Sequence, residues 1–270
     1  MIVWRLRAGN HAAGCLLRAP QTPRPGSTRR LSTRLDRGSA APTHEFIRGV
    51  PHRCGGPVRY SYNDFYFSDR YEGLPVNGYH AMIESMLASP LIRVELNCDF
   101  FSVRDRLPHE ALIVYTGPID RYYEYRFGLL GWRTLDFEIE RPPVVDFQGA
   151  AVINYPDLDY RFTRIHEFKH FHPERPPVPG TLIMREYPRF AKQGDEPYYP
   201  IGTEEDKRRY EQYRELARRE TSVVFDGRLG TYRYLDMDQA IAAALKCFRG
   251  TVSAWLAGVR PPALNRDTTP

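Results

Sequence analysis

The sequence predicts a mixed α/β protein of the α+β type, with a largely antiparallel sheet of about six strands and a few helices. Two observations carry that expectation. Short β-prone runs bounded by Pro, Gly or Asp follow one another between residues 92 and 187 with hardly a helix among them, and helical apolar periods are confined to 78–89 and to the segments after 205. The composition, 42% hydrophobic and 26% charged over 270 residues, is that of an ordinary folded protein with enough apolar residues for a substantial core.

Residues 1–57 stand apart. Arg, Pro, Ser, Ala and Gly dominate them, and the first 35 hold seven Arg and no acid. They read as a disordered or non-native leader. An organelle transit peptide is the competing reading, but Pro20, Pro23 and Pro25 would break its amphipathic helix. Order is expected from about Val58. An aromatic β-prone run covers 60–67, and Met82, Ile83, Met86 and Leu87 give 78–89 a helical stripe. Strands are expected at 92–101, 111–115, 134–139, 151–155, 162–171 and 181–187. A polar helix follows at 205–220, buried through Tyr210, Tyr213, Leu216 and Ala217. The last helix runs from Met237 to about Ala257 on Ile241, Leu245, Phe248, Val252 and Trp255, and 259–270 reads as a disordered tail.

Charge and cysteines exclude several function classes. The net charge is +5, but beyond the leader both signs mix, so no nucleic-acid surface is implied. All but four of the 38 basic residues are Arg, the residue suited to forked recognition of phosphate. Cys15, Cys54, Cys98 and Cys247 form no C-x-x-C pair, so neither a zinc ribbon nor a disulfide scaffold is expected, and free thiols in a cytoplasmic protein are. No apolar run approaches the roughly 20 residues of a membrane span.

Residues 166–170, His-Glu-Phe-Lys-His, satisfy the zinc-protease pattern H-E-x-x-H. The segment alternates like a strand, however, which would set the two imidazoles about 13 Å apart, far beyond the ~2 Å bonds each owes one metal. No metal site is expected. More informative is 227–238, where a strand at 223–225 turns through Gly227 and Gly230 toward a helix capped by Asp236 with Gln239 as capping-box partner. A helix N-terminus so presented, with Arg228 and Arg233 nearby, suits an anion. Tyr and Arg recur along the chain at Tyr66, Arg133, Tyr155, Arg164, Tyr198, Tyr199, Arg228, Arg233 and Tyr234. Together they suit a diphosphate with flat parts, Arg forks and Tyr hydroxyls taking the phosphate and rings stacking on a base or flavin.

From about 58 to 248 the chain resembles the C-terminal two-thirds of the UDP-galactopyranose mutase family. The matching stretches are Tyr-Asn-Asp-Phe-Tyr-Phe-Ser-Asp-Arg-Tyr-Glu-Gly-Leu-Pro at 62–75, Tyr-Thr-Gly-Pro-Ile-Asp at 115–120, Gly-Trp-Arg-Thr-Leu-Asp-Phe-Glu at 131–138, Gln-Gly-Ala-Ala-Val-Ile-Asn-Tyr at 148–155, Thr-Arg-Ile-His-Glu-Phe-Lys-His-Phe at 163–171, Glu-Pro-Tyr-Tyr-Pro at 196–200 and the 227–238 segment. The resemblance implies the remnant of a flavin-binding domain beside an antiparallel sheet, region 58–258 being the mutase part. It also implies an isomerase that interconverts UDP-galactopyranose and UDP-galactofuranose through a covalent adduct with reduced FAD. By resemblance, Arg164, Tyr199 and Tyr234 are catalytic and hold the substrate diphosphate; Tyr66, Asn154 and Tyr198 complete the substrate pocket; Arg133, Arg228, Asp236 and Met237 contact the flavin. The family's opening βαβ unit with its G-x-G-x-x-G turn has no counterpart in the sequence. The expectation is therefore a truncated mutase, impaired alone, whose flavin binding must do without the pyrophosphate turn. The alternatives are a non-catalytic UDP-binding module and one half of a split mutase, with a homodimer or a separate FAD-domain chain as protein partner.

Overall fold

The computed structural model describes residue 71, residues 73–260 and residues 264 and 265. The leader, the 60–67 run with Tyr66, and most of the expected tail lie outside the described residues.

Two sheets form. Strands β2 (Trp132–Glu140), β3 (Val152–Asn154), β4 (Arg164–Glu167), β5 (Ile183–Phe190) and β6 (Tyr199–Pro200) make an antiparallel sheet in the order β3-β4-β5-β2-β6. The run at 111–115 lies outside it: β1 (Ile113–Tyr115) pairs in parallel with β7 (Val223–Phe225). Among the described residues the antiparallel sheet has five strands, in keeping with the expected largely antiparallel sheet. Among the described residues no helix is long and apolar enough to cross a membrane.

The main core lies around the parallel pair. Phe100, Tyr115, Tyr122 and Phe225 pack together, Tyr122 edge to face with Phe225 at a ring-centroid distance of 4.9 Å; such pairs add roughly 1 kcal/mol beyond the area they bury. Helix α4 (Glu204–Ala217) closes this core with Tyr213 and Ala217. The Tyr213 hydroxyl accepts from the Phe127 N–H at 3.0 Å and donates to the Gly128 carbonyl at 2.8 Å, tying down the loop into β2. Thr203 and Asp206 form a capping box at the start of α4, and the buried Asp206 also accepts the Gly131 N–H at 2.9 Å. A side chain at Gly131 would meet the Asp206 carboxylate at 2.7 Å, so only glycine fits there.

Three elements depart from expectation. Residues 92–101 do not form a strand: Asn97 is left-handed at φ +53°, and Asp99 caps helix α2 (Phe100–Val103) by accepting the Phe101 N–H at 2.9 Å. Local capping wins because the helical turn points Phe100 into the core. The strand expected over 162–171 stops at Glu167 and becomes a 3₁₀ turn, Phe168–Phe171. The last helix is interrupted by a π-helical turn, Phe248–Val252, between α6 (Met237–Cys247) and α7 (Ser253–Leu256). Its apolar stripe is not in a core, since Ile241, Leu245 and Phe248 are each about half exposed. The remaining helices are α1 (Gly78–Leu87), α3 (Ile119–Tyr122) and α5 (Gly227–Gly230).

Glu167 explains why its strand ends. Fully buried, it accepts the Phe147 and Gln148 N–H groups at 3.0 and 2.8 Å and the Thr181 hydroxyl at 2.5 Å, with Lys169 and His170 at 3.7 and 3.4 Å. One carboxylate thereby fastens the two long loops on either side of β3 and β4 to the sheet. Burial pushes its pKa up, but the Thr181, Phe147 and Gln148 hydrogen bonds hold it below the ordinary glutamate value. A depressed folded pKa contributes stability that is complete above the unfolded value of about 4.3 and is lost as pH falls through the lower folded one. Glu167→Ala is expected to cost about 3 kcal/mol in urea unfolding at pH 7, as when a buried charge loses its partner, and to flatten the fall in stability below pH 4; an unchanged midpoint would contradict this role.

Candidate functional site

In an antiparallel sheet, residues directly opposite one another point to the same face, as do alternate residues of one strand. The register pairs Asn154 with Arg164, Arg164 with Glu186, Glu186 with Phe137, Arg133 with Phe190 and Arg133 with Tyr199. Arg133 and Phe137 are an even number of residues apart on β2. Asn154, Arg164, Glu186, Phe137, Arg133 and Tyr199 therefore share one face, across all five strands. On the opposite face Arg185 is taken up by Glu140, and Arg189 by Asp136 and Asp195.

At one end of the shared face Tyr199 stacks on Tyr234, ring centroids 5.8 Å apart and planes 18° from parallel. The loop carrying Tyr234 is held from below. Gly227 is left-handed at φ +74°, a Cβ on Gly230 would stand 2.9 Å from the Tyr115 carbonyl, and Tyr232 donates to the Gly131 carbonyl at 2.6 Å while packing edge-on to Trp132. Arg228 lies over the Tyr234 ring, 4.7 Å from its centroid, and its two terminal nitrogens donate to the Tyr198 and Leu235 carbonyls. It is thus first a clasp between β6 and the lead into α6. Arg133, largely buried, lies 4.7 Å over the Phe190 ring, and burial lowers its pKa.

At the other end Arg164 Nε donates to Asn154 Oδ1 at 2.8 Å, and Arg164 Nη1 stands 3.8 Å from Glu186 Oε2. Glu186 Oε1 lies 2.6 Å from His166 Nε2. Burial pushes the Glu186 carboxyl up, yet the His166 hydrogen bond and the Arg164 charge hold it below its ordinary value. Arg164 retains a 40% exposed side chain turned to the open face. The two ends do not touch: their rows are four residues apart along β2, about 13 Å, and three strand spacings, about 14 Å, across the sheet. The arrangement suits a long ligand with charge rather than a single phosphate.

The other expected site residues divide. Tyr198 packs edge-on to Phe137, between the two ends. Asp236 and Met237 are exposed at the start of α6, where the Asp236 N–H donates to Gln239 Oε1 at 3.1 Å. The glycine turn does not lead straight into that helix, because the single turn α5 intervenes. Tyr66 is outside the described residues. His166 and His170 do not share a partner: His166 faces Glu186, while His170 meets Asp146 and Glu167. Asp146, Glu167 and His170 are close enough to hold a cation, but the Lys169 ammonium lies among them, 3.3 Å from Asp146. Glu186, His166 and Tyr232 were not anticipated from the sequence. Glu186 is aligned with Arg164 only by strand pairing, which no local pattern reveals.

These features define an α+β protein with an open sheet face lined by arginine and tyrosine. Comparison with known proteins narrows the class. The UDP-galactopyranose mutase family model matches residues 42–234. The chain is 44% identical over 194 residues to a probable UDP-galactopyranose mutase of Klebsiella pneumoniae, covering 70% of this chain and 48% of that one. It is 37% identical over 195 residues to dTDP-fucopyranose mutase of Escherichia coli, 71% of this chain and 52% of that one. It is 34% identical over 201 residues to UDP-galactopyranose mutase of Mycoplasma pneumoniae, 70% and 50% of the two chains. The chain belongs to the UDP-galactopyranose mutase family, and it spans about half the length of these curated relatives.

If Arg228 is a clasp, Arg228→Lys, which keeps the charge but cannot reach both carbonyls, should lower unfolding stability by about 1–2 kcal/mol and speed hydrogen exchange at the α6 N-terminus. Exchange unchanged from the parent would remove the clasp from the account.

Proposed function

We propose that this chain supplies the substrate-diphosphate face of a UDP-galactopyranose mutase-type isomerase. The supporting observation is the register that puts Asn154, Arg164, Arg133 and Tyr199 on one sheet face with Tyr234 stacked on its edge. In this reading region 58–258 is the mutase part, preceded by a leader and followed by a short tail.

The chemistry divides between ends of that face. In a pyranose–furanose interconversion the anomeric carbon parts from a nucleoside diphosphate, so negative charge grows on the departing phosphate. Arg164, held by Asn154 and Glu186 with its outer edge open, would receive that charge, and the Tyr199–Tyr234 stack would hold the far end of the nucleotide. These groups are fixed in advance by strand pairing and ring stacking, so little reorganisation is needed as the charge develops. Tyr66 and Tyr198 would complete the pocket. Reduced FAD, when bound, supplies the nucleophile for the anomeric carbon. The described donor set fits one edge of that cofactor: Arg133, Arg228 and the exposed Asp236–Met237 start of α6 would meet the flavin end.

A second reading, that a separate chain supplies the dinucleotide domain, is favoured by the half-exposed stripe of Ile241, Leu245 and Phe248 and by Phe190 and Ile139, which are 65% and 63% exposed on the substrate face. Apolar surface of that kind marks a contact awaiting a cover. A non-catalytic UDP-binding module is the remaining alternative, and it is separated by flavin behaviour.

Titration calorimetry is expected to detect UDP binding to the purified chain. Arg164→Ala should weaken it by about 2 kcal/mol, the low end of the range for truncating a charged pair because this guanidinium is partly exposed; equal affinity in parent and variant would refute the diphosphate role. With added FAD the chain alone should show little bound flavin absorbance, and co-expression with a G-x-G-x-x-G domain should yield a yellow complex that converts UDP-galactofuranose under dithionite. A colourless chain that turns over alone would overturn the division of labour.

A further inference from the structure

We propose that His166 is a positioning residue for Arg164, acting through Glu186, so that protonating His166 frees Arg164 to bind the substrate diphosphate more tightly. This rests on the substrate reading of the sheet face. It gives a role to the first histidine of the H-E-x-x-H sequence, whose second histidine belongs to the Glu167 network on the other side of the strand.

The geometry is a line of three charged groups. Glu186 on β5 is directly opposite Arg164 and diagonal to His166 of β4, 2.6 Å from His166 Nε2 through one oxygen and 3.8 Å from Arg164 Nη1 through the other. His166 and Glu186 side chains are only 14% and 12% exposed, so their interaction is weakly screened, whereas Arg164 opens to the face. The imidazole packs beside the Phe168 and Phe171 rings, at 6.2 and 6.1 Å with near-parallel planes. Among the described residues, those registered or packed against His166 are Glu186 and Met184 of β5, Val152 of β3, Arg164 of its own strand and those two rings. Glu186 and Arg164 are the charged ones.

One carboxylate therefore serves two cations. With His166 neutral, the Glu186 charge is balanced by Arg164, which offers an approaching phosphate a partly neutralised guanidinium. With His166 protonated, Glu186 is balanced at shorter range by the imidazolium, and the Arg164 charge is left for the ligand. An imidazole gains its proton as pH falls, so binding is tighter on the acid side.

The test compares UDP affinity of the full chain and of His166→Gln from pH 5.5 to 8. The glutamine amide can still donate to Glu186 but cannot titrate, and the ionisation of UDP itself is common to both. The ratio of parent to variant affinity is expected to fall at least threefold from pH 5.5 to 8. A ratio flat with pH, while binding still depends on Arg164, would overturn the role of His166 and leave the substrate reading intact. Absence of UDP binding at every pH would instead refute the substrate reading and the His166 role with it. Independently of ligand, the NMR titration midpoint of His166 should rise by at least 0.3 pH unit in Arg164→Ala; an unmoved midpoint would show that Glu186 does not couple the two.

Discussion

The alignment of β5 between β2 and β4 is the constraint on which the rest depends. Side chains alternate across a strand, so a slip of one residue between β4 and β5 would turn Arg164 away from Glu186, and one between β2 and β5 would send Arg133 and Phe137 to the other face. The functional reading is thus a statement about parity. Five strands separated widely in sequence must hold one register for Asn154, Arg164, Glu186, Arg133 and Tyr199 to look the same way.

What fixes that register lies largely on the opposite side. There Ile165, Glu167 and Ile183 are buried, and a one-residue shift would expose them and bury charge in their place. The exposed ladder of Arg185 with Glu140 and of Arg189 with Asp136 adds little energy per pair, yet it opposes a shift that would set like charges together. Near β6 the hold comes from Tyr232 and Asp206, both fastened to Gly131, so the stacked Tyr199–Tyr234 end is anchored to the aromatic core rather than to the sheet alone. A buried, well-fastened back supports an open, charged front.

Legibility in the sequence followed the range of the interaction. The helix at 204–217 and the strand at 132–140 were readable to within three residues at each end, because their apolar periods are local. The 92–101 segment was not, since its β-prone composition is overruled by Asp99 capping a helical turn. The parallel pairing of β1 with β7 spans about a hundred residues and leaves no local trace. Resemblance supplied Arg164, Tyr199 and Tyr234 as candidate site residues. It did not show that Arg164 and Tyr199 sit at opposite ends of one face, nor that Arg228 spends two donors on backbone carbonyls. Those facts belong to strand order and loop packing, which only coordinates express.

The central claim is that one face of this sheet receives a nucleoside diphosphate lengthwise. A crystal structure of the chain with UDP tests it most directly. The account predicts phosphate oxygens within hydrogen-bond distance of the Arg164 guanidinium, with the rest of the ligand running over Phe137 toward Tyr199 and Tyr234. UDP bound on the opposite face, beside Arg185 and Arg189, or clear of Arg164 altogether, would contradict it.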